Sequence, residues 1–260
     1  AIDIGDPSAL SATDICLCEH LDAGEIESFI RLAVAERYSI LLSGGTSSGK
    51  TTFLNAILHE VPPEERLITI EDTREVKPVQ PNDLPLGASK GDQGQARVTI
   101  ESLRQAAMRL RPDRIFLGEI RGDEVLDVLA AMNTGHEGSM ATIHANNPRD
   151  CLSRIENLVG LAGVNIPLSA MRKQIESALH LIVQVSRMRD GGRRVTHIEE
   201  VVGMEGETIT TQTLFGFKAG PMNDQGRITG NYYCTGFRPR FMEQAAYFNR
   251  EKDLLACIQQ

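Results

Sequence analysis

The sequence predicts an α/β fold: a mainly parallel sheet flanked by helices, with an antiparallel edge and a small C-terminal region. Two observations carry this. From residue 22 to 179, short apolar runs alternate with segments of helical periodicity, the pattern of a parallel sheet covered on both faces. After residue 180 the helices stop, and β-patterned runs follow one another around Asp190-Gly191-Gly192, a hairpin signal. At 260 residues and 41% hydrophobic, the chain can bury a large core without disulfides or metals.

Each element has its own reason. Residues 22–36 place Ile26, Phe29, Ile30, Ala33 and Val34 on one helical face, with Asp22 and Glu25 at capping-box spacing. The run 39–43, SILLS, reads as a buried strand. It meets GGTSSGKT at once, and the helix after it stops at Pro62-Pro63. RLITIED (66–72) is a second buried strand. Residues 77–97 are rich in Pro, Gly and polar side chains and read as a long surface loop. A helix over 102–111 ends at Pro112, and RIFLGEI (114–120) is a third strand. A helix over 123–133 precedes a fourth strand, SMATIHA (139–145). Helices follow over 148–159, with Pro at the first turn, and over 168–179. Runs 180–188 and 195–204 form the hairpin, and EGETITTQTLF adds a strand. Residues 218–260 carry a weak pattern, a Gly-rich loop and a terminal helical stretch.

Composition narrows the function classes. The formal charge of −8 and 5% aromatic content argue against a protein that works by holding nucleic acid. The counter-evidence is the cluster Arg187, Arg189, Arg193 and Arg194 at a hairpin, where solvated charge is the ordinary reading. Five scattered cysteines read as a reducing, cytosolic chain. Cys16, Cys18 and His20 lack the second ligand cluster that a zinc site requires. No apolar run reaches the ~20 residues of a membrane span. The chain starts at Ala1 and enters helix-like sequence early, which reads as a fragment whose preceding domain is missing.

Chemistry concentrates in Gly44–Thr51, GGTSSGKT, the pattern G-x-x-x-x-G-K-[ST]. Glycines let the loop curl around phosphates with its N–H groups inward. Lys50 reaches the β- and γ-phosphates, the Thr51 hydroxyl binds Mg²⁺, and the following helix adds its positive end. Gly44, Gly45, Thr46, Ser47, Ser48, Gly49, Lys50, Thr51 and Thr52 are therefore the expected ATP-binding set. The four fixed positions recur by chance in roughly one chain in a hundred of this length. Two acids follow at strand ends, Glu71 with Asp72, and Glu119. Beyond the carboxyl ends of a doubly wound sheet they face the nucleotide. NTP hydrolysis needs one carboxylate near Mg²⁺ and one for the attacking water, and composition leaves open which does which. An NTPase strand usually ends in Asp; here Gly118 precedes Glu119. No NKxD motif supports a GTPase. A small-molecule kinase, a helicase-like motor and a nucleotide-binding assembly protein without turnover are the competing classes.

The order GGTSSGKT, LITIEDTRE, RPDRIFLGEIRG, TGHEGSMATIHAN resembles the ATPases of type II and type IV secretion and pilus assembly, over about residues 22–216. RVTHIEEVVGMEGETI and GFRPRF are similar to the CpaF-like branch, which serves tight-adherence (Tad) pili. The resemblance implies a RecA-like ATPase that forms a homohexamer at the cytoplasmic side of the inner membrane and works with platform proteins there. It implies Mg²⁺ and ATP as cofactors, Glu71 as the water-positioning base, and Glu119 holding Mg²⁺ through water. Arg104 and Arg109 match family arginines, against the plain reading of a solvated helix face. It divides the chain into a linker and first helix (1–37), an ATPase core (38–216) and a C-terminal extension (217–260). Any residue lent by a preceding domain stays unnamed.

The histidines of TGHEGSMATIHAN need a separate reading. HEGSM begins like the zinc signature HExxH, but Met140 stands where the second His belongs. His136 and His144 would lie ~12 Å apart on one helix and ~26 Å apart on one strand, too far to share a metal without a turn. The family's histidine box implies His144 as a γ-phosphate sensor, with His136 as a packing or hydrogen-bonding residue.

Overall fold

The computed structural model describes residues 24–89, 98–164, 166–237 and 239, with the side chains of 25 and 104 outside that set. The capping pair at 22 and 25, the Cys16/Cys18/His20 group and the terminal helical stretch fall outside the described residues.

Helix α1 (Gly24–Ala35) leads into β1 (Ile40–Ser43), α2 (Lys50–Leu58) and β2 (Leu67–Glu71). Then come β3 (Asp83–Gly87), α3 (Ile100–Arg109), β4 (Arg114–Ile120), α4 (Glu124–Asn133) and β5 (Met140–Ile143). Helices α5 (Pro148–Leu161) and α6 (Leu168–Ala178) precede β6 (Leu181–Arg187), β7 (Arg193–Glu205), β8 (Thr208–Met222) and β9 (Ile228–Cys234). One sheet runs β3-β2-β4-β5-β1-β6-β7-β8-β9. The pairs from β3 to β6 are parallel, and those from β6 to β9 antiparallel. This is the parallel sheet with an antiparallel edge that the alternation predicts.

Burial on both faces explains the continuous apolar strands. Every residue of β1, β2 and β5 is buried. One face packs Phe29, Ile30 and Val34 of α1 with Phe53, Leu54 and Ile57 of α2. The other packs Val125 and Leu129 of α4, Ile155 of α5 and Ile175 of α6. Asn147 caps α5 by accepting from the Asp150 N–H at 2.8 Å, and Pro148 opens the helix as expected.

The loop expected over 77–97 contains a strand. β3 pairs in parallel with β2 at the sheet edge. Its Pro85 argues against a strand in sequence, but an edge strand has one unpaired side where the missing N–H costs nothing. Beyond 216 the weak pattern conceals a further hairpin. β8 runs unbroken through 216 and 217 to Met222 and pairs with β9. Gly216 lies under the Tyr233 ring and Gly230 under Phe217, close approaches that leave no room for a Cβ. Glycines at those places blur the β signal in the sequence.

Candidate functional site

The phosphate-loop motif lies between β1 and α2, in the strand–loop–helix setting the pattern requires. Gly44 sits against the Val185 carbonyl of β6, where a Cβ would clash. Ser47 (φ 57°) and Gly49 (φ 97°) are left-handed and fold the loop back on itself. The Ser48 N–H points across the loop to the Gly45 carbonyl at 3.3 Å. The Lys50 ammonium donates to the carbonyls of Gly44 (2.8 Å) and Gly45 (3.1 Å). Burial draws Lys50 below the ordinary lysine range, and the Glu119 charge opposes this. The buried Ser48 hydroxyl has no partner. Lys50 and Thr51 line a cleft of about 410 Å³; Thr46 and Ser47 are exposed and do not line it, and Thr52 is half-buried on α2.

The acids reach the same cleft from the carboxyl ends of β2 and β4, which are neighbours. Glu71 is 6% exposed and is held by its own following loop, accepting from the N–H groups of Glu75 (3.1 Å) and Val76 (3.0 Å). Burial is the largest influence and raises its pKa despite those donors. Its side chain crosses Gly118, where a Cβ would stand 2.9 Å from Glu71 Cγ. The glycine that departs from the usual motif is therefore what gives Glu71 its place. The Gly118 carbonyl in turn accepts from Thr142 Oγ1 at 2.5 Å, joining β4 to β5. Glu119 is more open and accepts from Arg121 Nε at 2.7 Å, while Arg121 also reaches Asp72 at 3.2 Å. The Glu119 hydrogen bond raises the Arg121 pKa first. Arg121 and Thr142 escape the sequence reading, although Arg121 stands two residues after Glu119 in the same motif.

The other expected residues are placed less centrally. His144 follows β5 by one residue, two beyond the cleft-lining Thr142, but does not itself line the cleft. His136 Nδ1 lies 3.0 Å from the Pro112 carbonyl, the hydrogen-bonding role expected of it. Among the described residues no group of three or more His, Cys, Asp or Glu side chains is arranged to hold a metal ion. Arg104 lies on α3, its side chain outside the described residues. Arg109 is exposed at the far end of α3. Ile100 at the near end lines the cleft, which puts Arg109 about 13 Å along the axis from it. Of the hairpin arginines, Arg193 Nε donates to the Ser47 carbonyl at 3.1 Å, and Arg194 donates to the Ile228 carbonyl and lies over the Phe217 ring. Arg187 and Arg189 are exposed.

Residues 19–213 match the family described as type II/IV secretion system protein. The chain belongs to this family. It is 41% identical over 211 residues to a Mycobacterium tuberculosis chain named for conjugal transfer, covering 79% of this chain and 59% of that one. It is 37% identical to the Protein VirB11 of Agrobacterium tumefaciens, over 68% of this chain and 52% of the relative. The chain thus spans little more than half the length of the curated relatives it matches. The crystal structure of the VirB11 ATPase from the Brucella suis type IV secretion system superimposes with a TM-score of 0.61 at 31% identity, over 73% of this chain and 56% of that one. The pilus retraction motor PilT shares the fold at a TM-score of 0.50 and 20% identity, over 88% of this chain and 56% of that one. The RecA-like core expected from the sequence is the fold found.

Proposed function

We propose that this chain is the ATP-hydrolysing part of a ring-shaped secretion motor. One observation carries the reading: Lys50 and Thr51 at the end of the loop, the buried Glu71 and the open Glu119 converge on one cleft at the carboxyl ends of adjoining strands. In this reading the Gly44–Thr52 loop takes the phosphates, which displace the Gly44 and Gly45 carbonyls from Lys50. Glu71 orients the attacking water and accepts its proton, and the burial that raises its pKa makes it a stronger base. The donor set fits Mg²⁺, which takes hard oxygens and keeps waters when few carboxylates are present. Thr51 would hold it directly and Glu119 through water, and when bound it would neutralise charge on the transferring phosphoryl group. His144 senses the γ-phosphate from beyond β5. Arg104 and Arg109 serve the reaction from α3, and the distance of Arg109 from its own cleft suits a contact across a ring interface.

Residues 38–216 form the proposed ATPase core, with 1–37 as a linker and first helix and 217–260 as an extension. Head-to-tail contacts that close by rotation would build a homohexamer. Among the described residues no helix is long and apolar enough to cross a membrane. We place the ring in the cytoplasm, peripheral to the inner membrane, bound to platform proteins. The segments RVTHIEEVVGMEGETI and GFRPRF support a Tad-type pilus machine. The 37% identity to VirB11 and the 40% identity to a conjugal transfer protein TrbB favour a type IV secretion machine as the second reading. The test is ATP turnover and particle mass with and without a non-hydrolysable ATP analogue. Mg²⁺-dependent turnover and a nucleotide-dependent six-fold mass are expected; a monomer without turnover in every condition would overturn the proposal.

A further inference from the structure

We propose that Arg193, at the start of β7, is a positioning residue for the phosphate loop. The inference rests on the nucleotide-binding reading of that loop and adds a residue from outside it. Arg193 lies 146 positions from Ser47 in sequence, yet its Nε donates to the Ser47 carbonyl at 3.1 Å. Its stem lies flat on the loop, with Cδ 2.9 Å from where a Gly49 Cβ would stand. Both contacts fall on the left-handed part of the loop, Ser47 and Gly49. A non-glycine residue such as Ser47 holds that conformation only when its surroundings enforce it.

The consequence follows from peptide geometry. In a trans peptide the C=O and the next N–H point in opposite directions. Drawing the Ser47 carbonyl outward to Arg193 turns the Ser48 N–H inward, and the Ser48 N–H does point across the loop to the Gly45 carbonyl. Arg193 thus presets the direction of an N–H that a phosphate oxygen would accept. Its own support is firm. β6 lies beside β1 and carries the Val185 carbonyl packed against Gly44. The hairpin turn is fixed by Asp190, which accepts from Gly192 (3.0 Å) and from Ile228 of β9 (2.7 Å). The antiparallel edge therefore holds the phosphate loop at two points.

The test measures the Kd of a fluorescent ATP analogue, steady-state turnover and Tm for wild type, Arg193→Met, Arg193→Lys and Lys50→Ala. Arg193→Met keeps the stem and removes the donor, and should weaken binding about 10-fold, the scale of one charge-assisted hydrogen bond. Saturated kcat should stay within about two-fold, because ground-state loop shape is what changes. Arg193→Lys, with a donor on a similar stem, should recover most of the affinity. Wild-type affinity in Arg193→Met, beside weakened binding in Lys50→Ala, would overturn this proposal and leave the loop assignment standing. A fall in kcat at unchanged affinity, or failure of lysine to rescue, would also overturn it. A wild-type chain that binds no nucleotide would overturn both.

Discussion

β4 has a charged side chain at each end, and the two ends are built in opposite ways. At its start Arg114 is fully buried, and its Nε and Nη2 donate to both oxygens of Glu65 at 2.5 and 3.1 Å. Its Nη1 donates to the Val34 carbonyl at 2.7 Å, and Gly138 has no Cβ because the guanidinium fills that space. Every nitrogen of this cation has a fixed partner. At the other end Glu119 is 29% exposed and pairs with Arg121, whose side chain is 64% exposed. Glu71 beside it is buried with a raised pKa. A buried ion pair has paid for its desolvation through matched geometry and cannot accept a substitute partner. An exposed pair holds little net energy and exchanges partners readily. The closed end anchors α1 and β4; the open end keeps its charges available to an incoming phosphate and cation.

The comparison can be broken from either side. Arg114→Ala leaves the buried Glu65 carboxylate with the half-exposed Arg37, 3.1 Å from Oε1, as its remaining cation, and should cost about 3 kcal/mol of stability, the low end for a broken buried pair, read by denaturant unfolding. Nucleotide affinity of the folded fraction should be unchanged, and an unstable variant that also loses affinity would link the two ends. Lys50→Ala should do the reverse. Losing one charge-assisted contact removes about 1.5–3 kcal/mol of binding, read by calorimetric titration, with unfolding little affected. Gly118→Ala adds a methyl where Glu71 Cγ lies 2.9 Å away, so the carboxylate must shift. Turnover should fall on the order of 10-fold, less than the ~100-fold of a full 1 Å misplacement. Equal turnover would show that Glu71 has room to spare. The smallest effect is a pH effect. Because the folded-state pKa of Glu71 is raised, its contribution to stability is full at low pH and is lost as pH rises through that pKa. Glu71→Gln should therefore raise Tm slightly at neutral pH, with the gain vanishing below the ordinary carboxylate range.

The open end was the more legible in sequence, because phosphate chemistry fixes residue types at fixed spacing. GGTSSGKT, Glu71 and Glu119 are local patterns tied to strand ends. What escaped depends on contacts between distant segments. Arg121 meets Glu119 locally, but it reaches Asp72 only because β2 and β4 are adjacent. Arg193 reaches Ser47 only because β6 pairs with β1. Gly118 departs from the general NTPase pattern and is expected from the family resemblance, but the reason for a glycine, the Glu71 side chain lying across it, is a contact between two strands. In the fold, β3 and β9 were hidden by Pro85, Gly216 and Gly230, whose cost is cancelled by edge position and ring packing that periodicity cannot register. At the closed end Arg114 stands inside RPDRIFLGEIRG, but its partners Glu65 and the Val34 carbonyl come from two other segments, so the pairing has no local pattern.

The central claim is that Glu71 acts on the reaction while the phosphate loop does the binding. Its most direct test is a paired measurement on Glu71→Gln, with ATP-analogue affinity by titration and turnover by phosphate release. Affinity should stay at the wild-type value while turnover falls about 10²–10⁴-fold, the range of a lost general base. Unchanged turnover, or affinity and turnover falling together, would contradict the claim and make Glu71 a structural residue of the β2 loop.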